Sequence, residues 1–159
     1  MNVEQIMSRT VETCRTGDNL AIAASKMWDH DVGCLPVLDE DGRLVGMITD
    51  RDICMAGYLQ GRQLIKIPVS VVMSKQLYAC RPEDGLIEAE ETMRAHQVRR
   101  LPVVNGGGNL VGIISLNDLS QEAERQAGRR ARELTGQEVT ATLAAVGAPR
   151  REAAIAPAP

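Results

Sequence analysis

The chain contains one segment twice, and that duplication limits what it can fold into. Val32–Ile53, VGCLPVLDEDGRLVGMITDRDI, returns sixty-six residues later as Val98–Leu119, VRRLPVVNGGGNLVGIISLNDL, without a gap. Both copies run from Leu-Pro-Val through a polar, Gly-containing turn to Leu-Val-Gly. A hydroxyl residue follows (Thr49 or Ser115), then an aspartate three positions on (Asp52 or Asp118). Carried backwards, the register pairs Met7-Ser8 with Met73-Ser74, Cys14-Arg15 with Cys80-Arg81, Asp18 with Asp84, and His30 with His96. About 19 of 48 aligned positions are identical, as expected when one structural unit is used twice.

At 159 residues, the chain fits one compact domain, or two small units that must share a core. Val, Ile, Leu, Met and Ala supply the core, with one Trp, two Tyr and no Phe. A formal net charge of -3 gives no general case for neutralising phosphates, so nucleic acid is disfavoured as a partner. No apolar run approaches the roughly 18 residues of a membrane span. MNVEQIMSR lacks the basic-then-apolar layout of a signal peptide. A cytoplasmic protein without membrane attachment is expected. Cys14, Cys34, Cys54 and Cys80 show neither CxxC nor metal-ligand spacing and read as reduced core thiols.

In order, Met1–Arg9 reads as a helical turn with Pro68–Lys75 as its counterpart. Thr10–Arg15 alternates like a short strand. Asp18 is the expected N-cap of a helix carrying Leu20, Ala23, Ala24 and Met27 to about His30. Val32–Leu38 and Arg43–Thr49 are strands around an Asp-Gly turn, and a helix runs from Asp50 to about Leu59, stopped by Gly61. The second copy repeats this order: strand Gln76–Cys80, a helix capped by Asp84, strands Val98–Val104 and Asn109–Ser115, and a helix from near Asn117. Each copy is β-α-β-β-α, so the class is α/β. The last helix is expected to continue through SQEAERQAGRRAREL, with Arg129, Arg130 and Arg132 late, where the helix dipole favours cations. Thr135–Glu138 reads as a capping box opening a short helix with Val139, Leu143 and Val146 as its apolar stripe. The expected division is 1–62, 63–120, a helical extension 121–146, and a disordered Ala/Pro tail 147–159.

Leu-Pro-Val, the Gly-hydrophobic-hydrophobic-Thr/Ser-x-x-Asp segments and the repeat length together resemble a tandem pair of CBS (cystathionine β-synthase) domains over about residues 1–120. The resemblance implies two repeats packed through their sheets about a pseudo-two-fold axis, with two clefts between them, to which the C-terminal helices read above are an addition. It implies a homodimer of flat, disc-like form. It also implies regulatory binding of an adenosine-containing ligand (AMP, ADP, ATP, S-adenosylmethionine or NAD) rather than a tightly bound cofactor, with a protein partner reading the change. By the same resemblance, Asp52 and Asp118 fall where ribose hydroxyls are accepted, and Thr49 and Ser115 where a phosphate is met. Arg99 and Arg100 fall where basic residues reach toward phosphates. Their equivalents in the first repeat, Gly33 and Cys34, carry no charge.

The motif also has a physical reading of its own. A strand ending at a helix start exposes N–H groups that suit an anion; the hydroxyl adds a donor, and the aspartate can accept from a vicinal diol. Thr49-x-x-Asp52 and Ser115-x-x-Asp118 equally read as helix capping boxes, and the two roles are compatible. Arg99 and Arg100 point to opposite faces of a strand, so at most one lines a given cleft. His30 and His96, at helix ends, suit dipole or packing roles. Asn105–Gly108 is a turn, because it lacks the Lys-Ser/Thr of a phosphate loop. No catalytic constellation emerges, and enzymatic activity is not expected. Two alternatives remain: a constitutive dimeric interaction module whose aspartates only cap helices, and a thiol-based sensor using Cys34 or Cys54.

Overall fold

The computed structural model describes residues 1–128 and 134–149. The first repeat contains β1 (Cys14–Arg15), α1 (Leu20–Asp29), β2 (Cys34–Leu38), β3 (Leu44–Thr49) and α2 (Asp50–Gln60). A 3-10 turn at Leu64–Lys66 and the short α3 (Val69–Val72) lead into the second. There follow α4 (Leu86–His96), β4 (Arg100–Val104), β5 (Leu110–Ser115), α5 (Leu116–Gln126) and α6 (Gly136–Gly147). β1 runs parallel to β2, and β2 is antiparallel to β3; β4 and β5 form the matching antiparallel pair. The mixed α/β arrangement is the one the duplication implied.

Local chemistry explains where the copies differ from expectation. The strand expected at Gln76–Cys80 shrinks to a single parallel bridge, Cys80 to Val103. In the first repeat the Thr16 N–H donates to the Leu38 carbonyl at 3.0 Å, but its equivalent is Pro82, which has no N–H to donate. The helix caps also move by one residue. Asn19, not Asp18, caps α1 by accepting from the Ile22 N–H at 3.1 Å, and Gly85, not Asp84, stands at the N-cap of α4. Asp18 and Asp84 instead accept from the Arg15 and Arg81 N–H groups at 2.8 and 2.7 Å, closing the turn before each helix. Asn105–Gly108 is a hairpin turn, with Gly108 at φ +78 and the Asn105 side chain accepting from Gly107 and Asn109.

The two repeats exchange their leading segments. Met7-Ser8 crosses to β5, where Ser8 and Ile113 trade both backbone hydrogen bonds at 2.9 Å. Met73-Ser74 crosses to β3 in the same way, pairing Ser74 with Met47 at 2.8 and 3.1 Å. The Val3 N–H donates to the Asp84 carbonyl, and the Val69 N–H to that of Asp18. Val3 and Met7 are therefore buried with Leu86, Met93, Leu101 and Ile114 of the second repeat. Ile67 and Val69 are buried with Leu20, Leu35 and Ile48 of the first. As packed, the units interlock across the 62/63 division made in sequence.

The C-terminal extension departs furthest from its reading. α5 ends at Gln126 rather than continuing, and Gly128 turns the chain at φ +93. Leu134, fully buried in the second core, requires that reversal. Arg129, Arg130 and Arg132, and residues 150–159 of the expected tail, lie outside the described residues. The capping box at Thr135 and Glu138 forms, and its hydrogen bonds hold the Glu138 carboxyl below its usual range. α6 docks through Val139 and Thr142, while Leu143, expected in the apolar stripe, is 54% exposed. Thr142 takes the inward position because Glu90, a buried carboxylate of α4, needs partners. The Thr142 hydroxyl donates to Glu90, and Arg94 bonds both residues.

Gly46 and Gly112 sit where the exchanged segments cross. A Cβ on Gly46 would lie 2.7 Å from Met73 Sδ and 3.0 Å from the Ser74 carbonyl; on Gly112 it would lie 2.6 and 3.0 Å from the same atoms of Met7 and Ser8. Gly46→Ala and Gly112→Ala should each lower urea-unfolding stability by about 1–3 kcal/mol. Gly17→Ala, which would meet nothing within 4 Å, should stay near neutral.

Candidate functional site

Thr49 ends β3 and opens α2; Ser115 ends β5 and opens α5. Both capping boxes form in full. The Thr49 backbone N–H and hydroxyl donate to Asp52 Oδ2 at 2.9 and 2.7 Å, and Thr49 Oγ1 accepts from the Asp52 N–H at 3.2 Å. Ser115 and Asp118 repeat this at 2.7, 2.6 and 3.3 Å. Both side-chain acceptances fall on Oδ2, so each aspartate retains Oδ1, which accepts from none of the described residues, and all four residues are half-buried rather than sealed. Capping thus uses one oxygen of each carboxylate.

Strand register brings the remaining candidates to the same place. Cys34 pairs with Thr49 across β2 and β3, and Arg100 with Ser115 across β4 and β5. The Arg100 guanidinium lies near enough to the Cys34 sulfur to favour its thiolate. Cys34 and Arg100 are repeat-equivalent positions, so their contact lies on the pseudo-two-fold axis. The bridge between Arg43 and Asn109, also equivalent positions, marks the same axis elsewhere. Thr49, Cys34, Arg100 and Ser115 form one row joining the two motifs. Arg99 is exposed on the other side of the strand, without a side-chain hydrogen bond among the described residues. Its carbonyl accepts from the Leu116 N–H at 2.9 Å, so it contributes backbone to the helix start. Nothing in the sequence marks Cys34 and Arg100, among all the repeat-equivalent pairs, as the one that meets on the axis.

The thiols behave mainly as core. Burial, reinforced by Asp18, pushes Cys14 from an ordinary 9.0 up to about 11, and burial with Asp84 pushes Cys80 up to about 12. Burial also raises Cys34, with Arg100 opposing and Asp50 adding. Cys54 alone is exposed. Among the described residues no group of three or more His, Cys, Asp or Glu is placed to hold a metal ion. His30 lies 3.7 Å from Glu12, and His96 stacks on Tyr78 with ring centroids 3.7 Å apart; these are packing and helix-end roles. No helix among the described residues is long and apolar enough to cross a membrane.

Comparison with known proteins fits this geometry. The CBS domain pattern matches residues 3–58 and 69–125. The CBS domain-containing protein YhcV of Bacillus subtilis is 43% identical over 129 residues, covering 80% of this chain and 90% of its own. The crystal structure of Hypoxic Response Protein I, solved with two coordinated zinc ions, superposes with a TM-score of 0.70 at 32% identity, over 76% of this chain and 98% of that one. The CBS domain pair of protein MJ0100, in complex with 5'-methylthioadenosine and S-adenosyl-L-methionine, gives a TM-score of 0.71 at 25% identity, over 79% and 98%.

The thiol environments give a direct readout. At about pH 8 an aromatic disulfide reagent should modify one thiol, Cys54, rapidly, and all four only in denaturant. Raised folded-state pKa values stabilise the fold fully below about pH 9, and that stability is lost as pH rises through the folded values. Cys14→Ala should therefore flatten the alkaline fall in stability relative to the parent chain.

Proposed function

The chain belongs to the CBS domain family as a tandem pair, and from that premise we propose that it is a regulatory module that binds an adenosine-containing ligand between its repeats. AMP, ADP, ATP, S-adenosylmethionine and NAD are the candidates. The observation that supports this most is the division of labour within Asp118: one oxygen caps α5, and the other accepts from none of the described residues. Arg100 stands opposite Ser115 in register. Such a grouping offers an acceptor for a vicinal diol, a hydroxyl, helix N–H groups and a cation for phosphate. The MJ0100 complex supports the ligand class.

The repeat-2 motif is the better equipped cleft, because Arg100 pairs in register with Ser115 whereas its repeat-1 equivalent, Cys34, pairs with Thr49. The proposed module is cytoplasmic, dimeric and not an enzyme, with the ligand exchanging freely. Its output is a change in the angle between repeats, read by a protein partner. Such a change requires unequal ligand affinity for the two states. The completed capping boxes favour one other reading, a constitutive interaction module in which Asp52 and Asp118 serve the helices alone.

Thermal unfolding against the five candidate ligands separates the two. A ligand at about 100 times its dissociation constant should add roughly 2.7 kcal/mol. Asp118→Asn, whose amide oxygen can still accept at the cap, should keep most basal stability and lose that increment. Asp52→Asn should lose less if the repeat-2 cleft is the occupied one. If none of the five compounds moves the parent chain's melting curve, the ligand-sensing reading fails and the constitutive module stands.

A further inference from the structure

The first repeat shows that a β-α-β-β-α unit does not need a further helix laid over its own two. On repeat 2, α6 bonds to Glu90, Arg94 and Gln97 of α4 and its end. Sixty-six residues earlier stand Ala24, Trp28 and Asp31. Trp28, at the Arg94 position, is 87% exposed, and Asp31, at the Gln97 position, is exposed too. The duplicated unit thus folds with this face uncovered, and α6 is an addition to it.

That addition is fixed at one end and lightly held along its length. Just before α6, Leu134 is fully buried in the second core, and its N–H donates at 3.3 Å to Oε1 of Gln126, itself buried. Beyond that point α6 gives the core one apolar side chain, Val139. Leu143 is 54% exposed and borders a gap of about 290 Å³ between α5 and α6. The other attachments are polar. The Thr142 hydroxyl donates to Glu90, and Arg94 Nε donates to Thr142 at 2.9 Å. Gln97 Nε2 donates to the Ala145 and Ala148 carbonyls at 3.0 and 3.2 Å. On release each of these groups regains hydrogen bonds to water, so their net hold is modest.

We propose that α6 is a releasable strap: hinged at Leu134, it detaches from α4 and α5 as one cooperative unit while both repeats stay folded. Opening below the cost of global unfolding is the behaviour of an element with few buried apolar contacts. A helix of 12 residues is too short to persist in water without tertiary contacts, so undocking and unwinding occur together. Opening uncovers the Glu90–Arg94 ion pair on α4. It also frees one side of α5, the helix that Ser115 and Asp118 open. Release needs no ligand, so it is independent of the function proposed above.

Native-state amide hydrogen exchange of the full chain, resolved by residue and repeated at low urea concentrations, tests the strap. The amides of α6 from Thr140 to Val146 should exchange at one common rate, about tenfold or more faster than those of α4. That rate should depend little on urea, because local release exposes little surface. Thr142→Ala removes the donor to Glu90. Gln97→Asn withdraws the amide from both carbonyls while tolerating the left-handed backbone there, at φ 52. Each variant should raise the common α6 rate about fivefold, the loss of one ordinary hydrogen bond's net worth. Exchange in α1 and α2 should stay unchanged, which shows the variants to be folded. Three results overturn the strap. α6 and α4 exchanging at one rate with one urea dependence would make α6 an integral part of repeat 2. A rate climbing steadily from Thr140 to Val146 would be fraying from the end. An α6 rate that neither variant moves would mean that these bonds do not hold it.

Discussion

The structure depends on the exchange of leading segments. Each small sheet would otherwise end at β3 or β5 with an open edge and unpaired backbone groups. Ser74 pairs with Met47 on one edge, and Ser8 with Ile113 on the other. Because each edge is covered by the other repeat's lead-in, neither half completes its sheet or its core alone. Close approach needs Gly46 and Gly112. The Leu-Val-Gly signature in both copies is therefore first a packing requirement. Its following Thr/Ser-x-x-Asp is first a helix cap.

Duplication explains how a capping device can also form a site. Two interlocked copies related by a pseudo-two-fold axis must bring equivalent positions together wherever the axis passes, and here it passes by Cys34 and Arg100. In a perfectly repeated sequence, two cysteines or two arginines would meet there. Two arginines would repel, and two thiols would leave both motifs without a cation. The divergence to one of each places a single guanidinium in the row between Thr49 and Ser115, beside Cys34.

The sequence carried most of this wherever one residue's neighbours lay within its own repeat. The hairpin strands β2–β3 and β4–β5 and their turns, α2 with its Gly61 stop, the Thr49 and Ser115 boxes and the Thr135 box depend on contacts a few residues apart. The failures have longer-range causes. Asp18 and Asp84 looked like caps because type and spacing fitted, but their carboxylates are taken by Arg15 and Arg81 one turn back. The length of α5 looked continuous because SQEAERQAG has good helix propensity; burial of Leu134 and the left-handed Gly128 override it. Thr142 looked like the polar side of α6, until a buried Glu90 on a different helix required it. Neither the segment exchange nor the Cys34–Arg100 contact can be read from periodicity, because both are properties of the pair rather than of the repeat.

What distinguishes this chain from a plain duplication is therefore concentrated in its asymmetries. Repeat 2 has arginines beside its motif and a polar helical face closed by α6. Repeat 1 has Gly33 and Cys34 beside its motif and an open face carrying Trp28. Polar anchors on the covered face follow from the buried Glu90, since a buried carboxylate must be partnered and α6 supplies the partner. An exposed indole on the uncovered face has no such internal account, for neither core cluster includes Trp28.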